Sequence, residues 1–215
     1  MGERELDFAP YRDGPVREGL RTVFTFLRMP LLFILFMYLV MFKMHSVAAY
    51  AVGAVIALAG EWGQVASASY ILKNRHLTVS GPYAHVRNPM FIFRYFIGLG
   101  IAIMTLDPII IIVYTVCYII YAADRVHREE RILRGIFPEN RVTAYMDAVP
   151  RWIPKLKRYR YTEARTPSWY WVKKNREDVH LYGLIAALLF IGYKVIFHPD
   201  VTPKIAALVN GFLGR

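Results

Sequence analysis

Apolar residues run in long blocks along this chain, separated by short polar or basic stretches. Val23–Phe42 is the first block, interrupted only by Arg28. Val47–Leu72 is the second; it is rich in Ala and Gly and contains one acid, Glu61. Met90–Leu106, with Arg94 near its start, is the third, Ile109–Ala123 the fourth and Val179–Phe197 the fifth. A helix needs roughly 20 apolar residues to cross ~30 Å of hydrocarbon. The pattern predicts an all-α chain: a polytopic membrane bundle of about five transmembrane helices in a single membrane domain. Asp107-Pro108 lies between the third and fourth blocks. Proline lacks a backbone N–H and disfavours a helical residue before it, so the pair predicts a hairpin tip, not a kink in one long helix.

Composition sharpens this picture. Of the 215 residues 56% are hydrophobic and 20% charged, which excludes a disordered chain. The single cysteine, Cys117, excludes a disulfide scaffold. It reads as a buried small residue of the fourth span. Lys and Arg number 27 against 16 acids, a formal charge of +11. Five arginines lie in residues 1–28, three basic residues in 73–88 and 14 in 124–178. With five crossings all of these fall on one side, which the positive-inside rule makes cytoplasmic, with 198–215 outside. Anionic lipid accounts for such flanks, so nucleic acid is not expected as a partner. The first 20 residues carry both signs of charge and no cleavage site follows, so a signal peptide is not expected. Leu20–Phe26 would lead along the membrane surface into the first span, and Val201–Leu213 would lie in the outer interface.

Two stretches between the blocks carry more specific chemistry. His76–Phe91 reads HLTVSGPYAHVRNPMF. Gly81-Pro82 is a turn. Asn88-Pro89 opens the third helix with proline in its first turn, where a missing donor costs nothing. That helix start is a natural seat for an anion. The second stretch begins at Asp124 and contains Arg125, Glu129, Glu130 and Arg131, then Phe137-Pro138-Glu139, then Val149-Pro150-Arg151-Trp152-Ile153-Pro154. Arg125 and Glu129 are i and i+4 on one helix face. Taken alone, each stretch reads as a basic connector or a solvated helix.

The ordered series Leu-Thr-Val-Ser-Gly-Pro-Tyr, Arg-Asn-Pro-Met-Phe, helical hairpin, Glu-Glu-Arg-x-Leu, Val-Pro-Arg-x-Ile-Pro resembles the integral-membrane methyltransferases. These include isoprenylcysteine carboxyl methyltransferase and the phospholipid N-methyltransferases. The likeness covers about Gly60 to Pro154, within a core of 23–154. It implies S-adenosylmethionine as cofactor and a lipid or lipophilic acceptor: a lipid amine or a prenylcysteine-type carboxylate. Carried over residue by residue, His76, Leu77, Thr78 and Tyr83 would bind the cofactor, with Arg75 on its approach. Asn88, Pro89, Met90 and Phe91 would form the helix-start wall. Glu129 would hold the cofactor's amino group or ribose, with Glu130 as helper. Arg125 would be the catalytic residue facing acceptor and methyl. Gly60 and Gly63 fall near a cofactor-associated glycine motif. Departures from the family pattern are Asn88 for histidine, Phe93 for glycine and Pro138 for glycine; Phe93 would narrow the acceptor's space.

The cofactor's chemistry agrees with these residue types. A zwitterion with a cationic sulfonium wants carboxylates for its amino group and N–H donors for its carboxylate. Glu61 would sit ~16 Å deep in the second span. An acid there is costly unless paired or lining a cavity, and Arg94 is expected to face it. The pair would bind acceptor, or fix helix register. His85 and His127 have no metal-ligand spacing, and no metal is expected. Trp169-Tyr170-Trp171 would mark the interface, and the basic segment 155–178 would lie along anionic headgroups before the last span at 179–197. A nicotinamide-dependent sterol-type reductase and a non-catalytic scaffold are the alternatives.

Overall fold

The computed structural model describes residues 30–71, 76–162 and 165–198. The expectations for Leu20–Phe26, Arg75 and Val201–Leu213, and the start of the first apolar block, lie outside the described residues. The chain divides into two units, 1–39 and 40–215. In the first unit, residues 30–39 are helical and belong to α1 (Pro30–Phe42). All contacts described below lie within the second.

The described residues are all-helical: α2 (Val47–Ala68), a short 3-10 turn (Gly81–Ala84), α3 (Pro89–Ile103), α4 (Pro108–Ile136), α5 (Glu139–Ala148), α6 (Trp169–Lys174) and α7 (Glu177–Phe197). Three of them, α2, α4 and α7, are long and apolar enough to cross a membrane. α3 is apolar but has 15 residues, about 22 Å of helix. It stops at Ile103, short of the expected Leu106, because Leu106 has a positive φ of 51°. Asp107 then caps α4 by accepting from the N–H groups of Ile109 and Ile110, so Asp107-Pro108 is the hairpin tip. Lys43 reaches the same carboxylate at 3.0 Å. Nearby in sequence, Lys194 Nζ donates to the Met44 carbonyl at 2.7 Å.

Helices α2 and α3 pack closely because glycine lets their backbones approach. A Cβ on Gly60 would collide with the Phe93 carbonyl and Ile97 backbone, and one on Gly63 would enter the Phe93 ring. Phe93 thus fills the space that Gly63 leaves. α7 packs on α2, where Tyr50 donates to the Leu188 carbonyl at 3.1 Å. α4 has 29 residues, about 43 Å, so it outruns ~30 Å of hydrocarbon and continues as a charged helix. Its first half buries little, and Ile112, Val113, Val116 and Ile120 form an exposed apolar face suited to lipid. Cys117 lies among them and is exposed, not buried as expected; among the described residues α3 packs on this helix and α5 on its charged end, and neither covers Cys117.

Candidate functional site

In the charged half of α4, Ala122, Val126 and Glu130 recur every four residues and form its one buried stripe. The connector 76–91 and the segment after α5 are held there. Glu130 accepts from Arg151 Nε at 3.0 Å and Nη2 at 2.6 Å, and pairs with Arg87 at 3.2 Å. The side chain's hydrogen bond to Glu130 raises the Arg151 pKa further still. Backbone bonds complete the clamp: Arg87 N–H donates to the Pro150 carbonyl, and Lys155 and Tyr159 N–H to the carbonyls of His85 and Ala84. Tyr145 of α5 donates its hydroxyl to the Tyr83 carbonyl at 2.8 Å.

The end of α2 is tied in as well. Helix C-termini leave carbonyls without partners. Here Ser168 N–H, Arg165 Nη1 and Asn175 Nδ2 donate to the carbonyls of Ser69, Tyr70 and Ile71. α6 follows, with Lys174 over the rings of Tyr170 and Trp171. This fixes the start of α7, and with it Glu177.

These pieces enclose a cavity of about 460 Å³. The connector contributes His76, Leu77, Thr78 and Tyr83; the start of α3 contributes Asn88, Met90, Phe91 and Arg94; α4 contributes Arg125 and Glu129. Ten of the residues picked from sequence therefore share one wall. Arg125 and Glu129 form the expected i,i+4 pair, 3.7 Å apart and half-exposed. Pro89 is buried as the first residue of α3 but is not on the wall. Glu130 is not on it either; its carboxylate is occupied by Arg87 and Arg151. Gly60 and Gly63 sit in the α2–α3 seam.

Glu61 is buried, and one of its carboxylate oxygens has no partner. Among the described residues no ion pair joins it to Arg94. Arg94 instead reaches Glu177 at 3.5 Å, and Gln64 Nε2 donates to the other Glu177 oxygen at 3.1 Å. The long Arg94 side chain runs to the carboxylate at the cavity end of α7.

Sequence reasoning passed over Arg87, Tyr121, Tyr145 and Glu177, all on the cavity wall. Arg87 stood inside a quoted motif with no role. Glu177 read as an ordinary acid at a helix start, where the dipole favours it. Two wall residues carry buried polar atoms without partners, Tyr83 Oη and Arg87 Nε. Burial pushes the Tyr83 and Tyr145 hydroxyls far above the usual phenol range, so both remain neutral donors. The cavity thus offers carboxylates, guanidinium groups, neutral hydroxyls and a positive helix end to one small polar molecule.

Comparison with known proteins bears on these residues. The chain is 30% identical over 88 residues to the cobalt-zinc-cadmium resistance protein CzcN of Cupriavidus metallidurans, a match over 41% of this chain and 40% of that protein. The chain thus spans about two fifths of the length of that relative. No solved structure matches it. The model of the phospholipid methyltransferase family matches residues 33–140, half of the chain and most of the cavity wall, and the protein belongs to that family.

Proposed function

We propose that this protein transfers a methyl group from S-adenosylmethionine to a lipid or lipophilic acceptor in the membrane. The observation that carries the reading is the convergence of the connector, the α3 start and the Arg125–Glu129 face on one cavity. Its volume lies in the range of small-molecule sites. The wall chemistry fits the cofactor. Glu129 is the carboxylate free enough to take its amino group, since its partner Arg125 is 3.7 Å away and exposed. The α3 N-terminus at Asn88 and Met90 suits its carboxylate. The partnerless Tyr83 hydroxyl and Arg87 Nε are two donors that a polar ligand would satisfy. When bound, the cofactor supplies the electrophilic methyl group. The protein's part is alignment and exclusion of water, worth up to ~7–11 kcal/mol in favourable cases. Arg125 would aim the acceptor at the methyl group.

The charge distribution supports a cytoplasmic cavity. Arg87, Arg125, Arg128, Arg131 and Arg151 crowd the cavity end, whereas Lys43 and Lys194 lie by the opposite turns. The test is a thermal shift on purified protein, followed by transfer of radiolabelled methyl into total lipid extract. Stabilisation by S-adenosylhomocysteine and label in lipid are expected. Stabilisation by NADPH alone would refute the reading in favour of a reductase.

A further inference from the structure

We infer that residues 151–161 form a docking surface for an anionic leaflet: Trp152, Ile153 and Leu156 enter the bilayer interface, and Lys157, Arg158 and Arg160 meet lipid phosphates. The inference is independent of the methyltransferase reading. These residues lie off the cavity wall and outside the region matched by the family model.

The segment follows α5 and forms no helix. It is nonetheless fixed at three points. At its start, Arg87 N–H donates to the Pro150 carbonyl at 2.9 Å and Asn88 Nδ2 to that of Arg151 at 3.4 Å, while the Arg151 side chain is held by Glu130. In the middle, Lys155 N–H donates to the His85 carbonyl at 3.0 Å, and His85 Nδ1 bonds back to the Lys155 carbonyl at 2.8 Å. Farther on, Tyr159 N–H donates to the Ala84 carbonyl at 3.0 Å, and its ring meets Tyr145 edge-on with 5.4 Å between centroids.

Between these points apolar side chains are left outside. Leu156 is 99% exposed, Ile153 79% and Trp152 37%. Single apolar residues on a surface are ordinary, but a cluster of them along one fixed segment marks an interaction site. The level of the segment says what covers it. Asn88 is the N-cap of α3 and Pro89 its first residue, so the bonds from Arg87 and Asn88 set Trp152 and Ile153 beside the point where that apolar helix begins. Tryptophan concentrates at the membrane–water boundary. The end of α2 carries a matching marker. Ser168 N–H holds the Ser69 carbonyl there, and Trp169 and Tyr170 of α6 are 45% and 60% exposed.

Charge selects the partner. Residues 151–162 contain Arg151, Lys155, Lys157, Arg158 and Arg160 and no acid. Arg151 is engaged by Glu130, and Lys155 Nζ donates to the Ala148 carbonyl at 3.2 Å. Lys157, Arg158 and Arg160 are exposed, and among the described residues no ion pair engages them. Cations beside apolar tips fit a surface that is anionic at its face and hydrocarbon beneath. The Lys and Arg stems can lie along such a leaflet while their heads reach phosphate. A soluble anion would satisfy the cations and leave Ile153 and Leu156 in water. Because Ala84, His85 and Arg87 belong to the connector, the docked segment also holds that wall of the cavity at the depth of the headgroups.

The experiment places full-length protein in nanodiscs of phosphatidylcholine alone or with added phosphatidylserine. Cys117→Ala removes the exposed cysteine of α4, and Leu156→Cys carries an environment-sensitive fluorophore. In anionic discs its emission should shift to the blue, a lipid-borne nitroxide should quench it and aqueous iodide should not. Lys157→Gln, Arg158→Gln and Arg160→Gln together should weaken docking, by up to about fivefold for each charge lost. Salt at ~1 M should erase the difference between the two discs, because charges are then screened within ~3 Å. A label open to iodide and untouched by the nitroxide in both discs would overturn the inference. Equal quenching by lipid in both, unaltered by the triple variant, would overturn the assignment to anionic lipid. So would the same blue shift produced by inorganic phosphate in neutral discs, which would mark an ion site in place of a leaflet.

Discussion

Arg151 grips Glu130 with two parallel hydrogen bonds, 3.0 Å from Nε and 2.6 Å from Nη2. The bond joins the segment after α5 to the buried stripe of α4, and Arg87 brings the connector to the same carboxylate. Glu130 is therefore a positioning residue between three pieces of chain. Glu130→Ala leaves two arginines without their partner, one of them part-exposed. We expect a loss of about 2–3 kcal/mol, read as a lower thermal midpoint in detergent. Added S-adenosylhomocysteine should still raise the midpoint of the fraction that folds.

Glu129 should behave in the opposite way. Its pair with Arg125 is half-exposed and worth a few tenths of a kcal/mol at most. Glu129→Gln is expected to leave the midpoint unchanged and to weaken S-adenosylhomocysteine binding about tenfold or more, because a charge-assisted contact is lost. Calorimetric titration of both variants separates the two adjacent glutamates.

Tyr83 offers a test that needs no catalysis. Its buried hydroxyl has no partner, a condition that costs about 1–3 kcal/mol. Tyr83→Phe should match or exceed wild type in thermal midpoint and bind S-adenosylhomocysteine less tightly. A variant with lower stability and intact binding would show that the hydroxyl is structural.

Gly60 tests the α2–α3 seam. A methyl group there meets the Phe93 carbonyl and the Ile97 backbone, neither of which can swing aside. Gly60→Ala should lose about 1–3 kcal/mol of stability. Gly63→Ala meets the Phe93 ring instead. The double variant Gly63→Ala with Phe93→Leu should recover part of the loss of the single one, measured by thermal denaturation.

At the other end of the bundle, the Lys43 hydrogen bond holds the Asp107 carboxyl below its usual range. A carboxylate whose folded pKa lies below its unfolded value stabilises above the unfolded pKa. That contribution is lost as pH falls through the folded value. Asp107→Asn should therefore flatten the fall in thermal midpoint below about pH 4. The variant keeps a side chain able to cap α4.

The long helices could be read locally. Each apolar block is contiguous, Pro108 ends a hairpin through its own missing N–H, and Pro89 opens α3 as the first helical residue. The connector and the Arg125–Glu129 face were legible because motif spacing and an i,i+4 repeat survive in one dimension. Cys117 was misplaced because an apolar stretch does not state whether protein or lipid will cover it.

Hydrophobic blocks, their polar breaks and their basic flanks depend on residues near in sequence, so the chain alone determined a helical membrane protein with a polar end. Partnership among charges was decided by the tertiary structure. Arg94 meets Glu177 across 83 positions, and Glu130 meets Arg151 across 21. Coulomb energy depends on separation in space and on burial, and both are set only once α7 and the connector have docked.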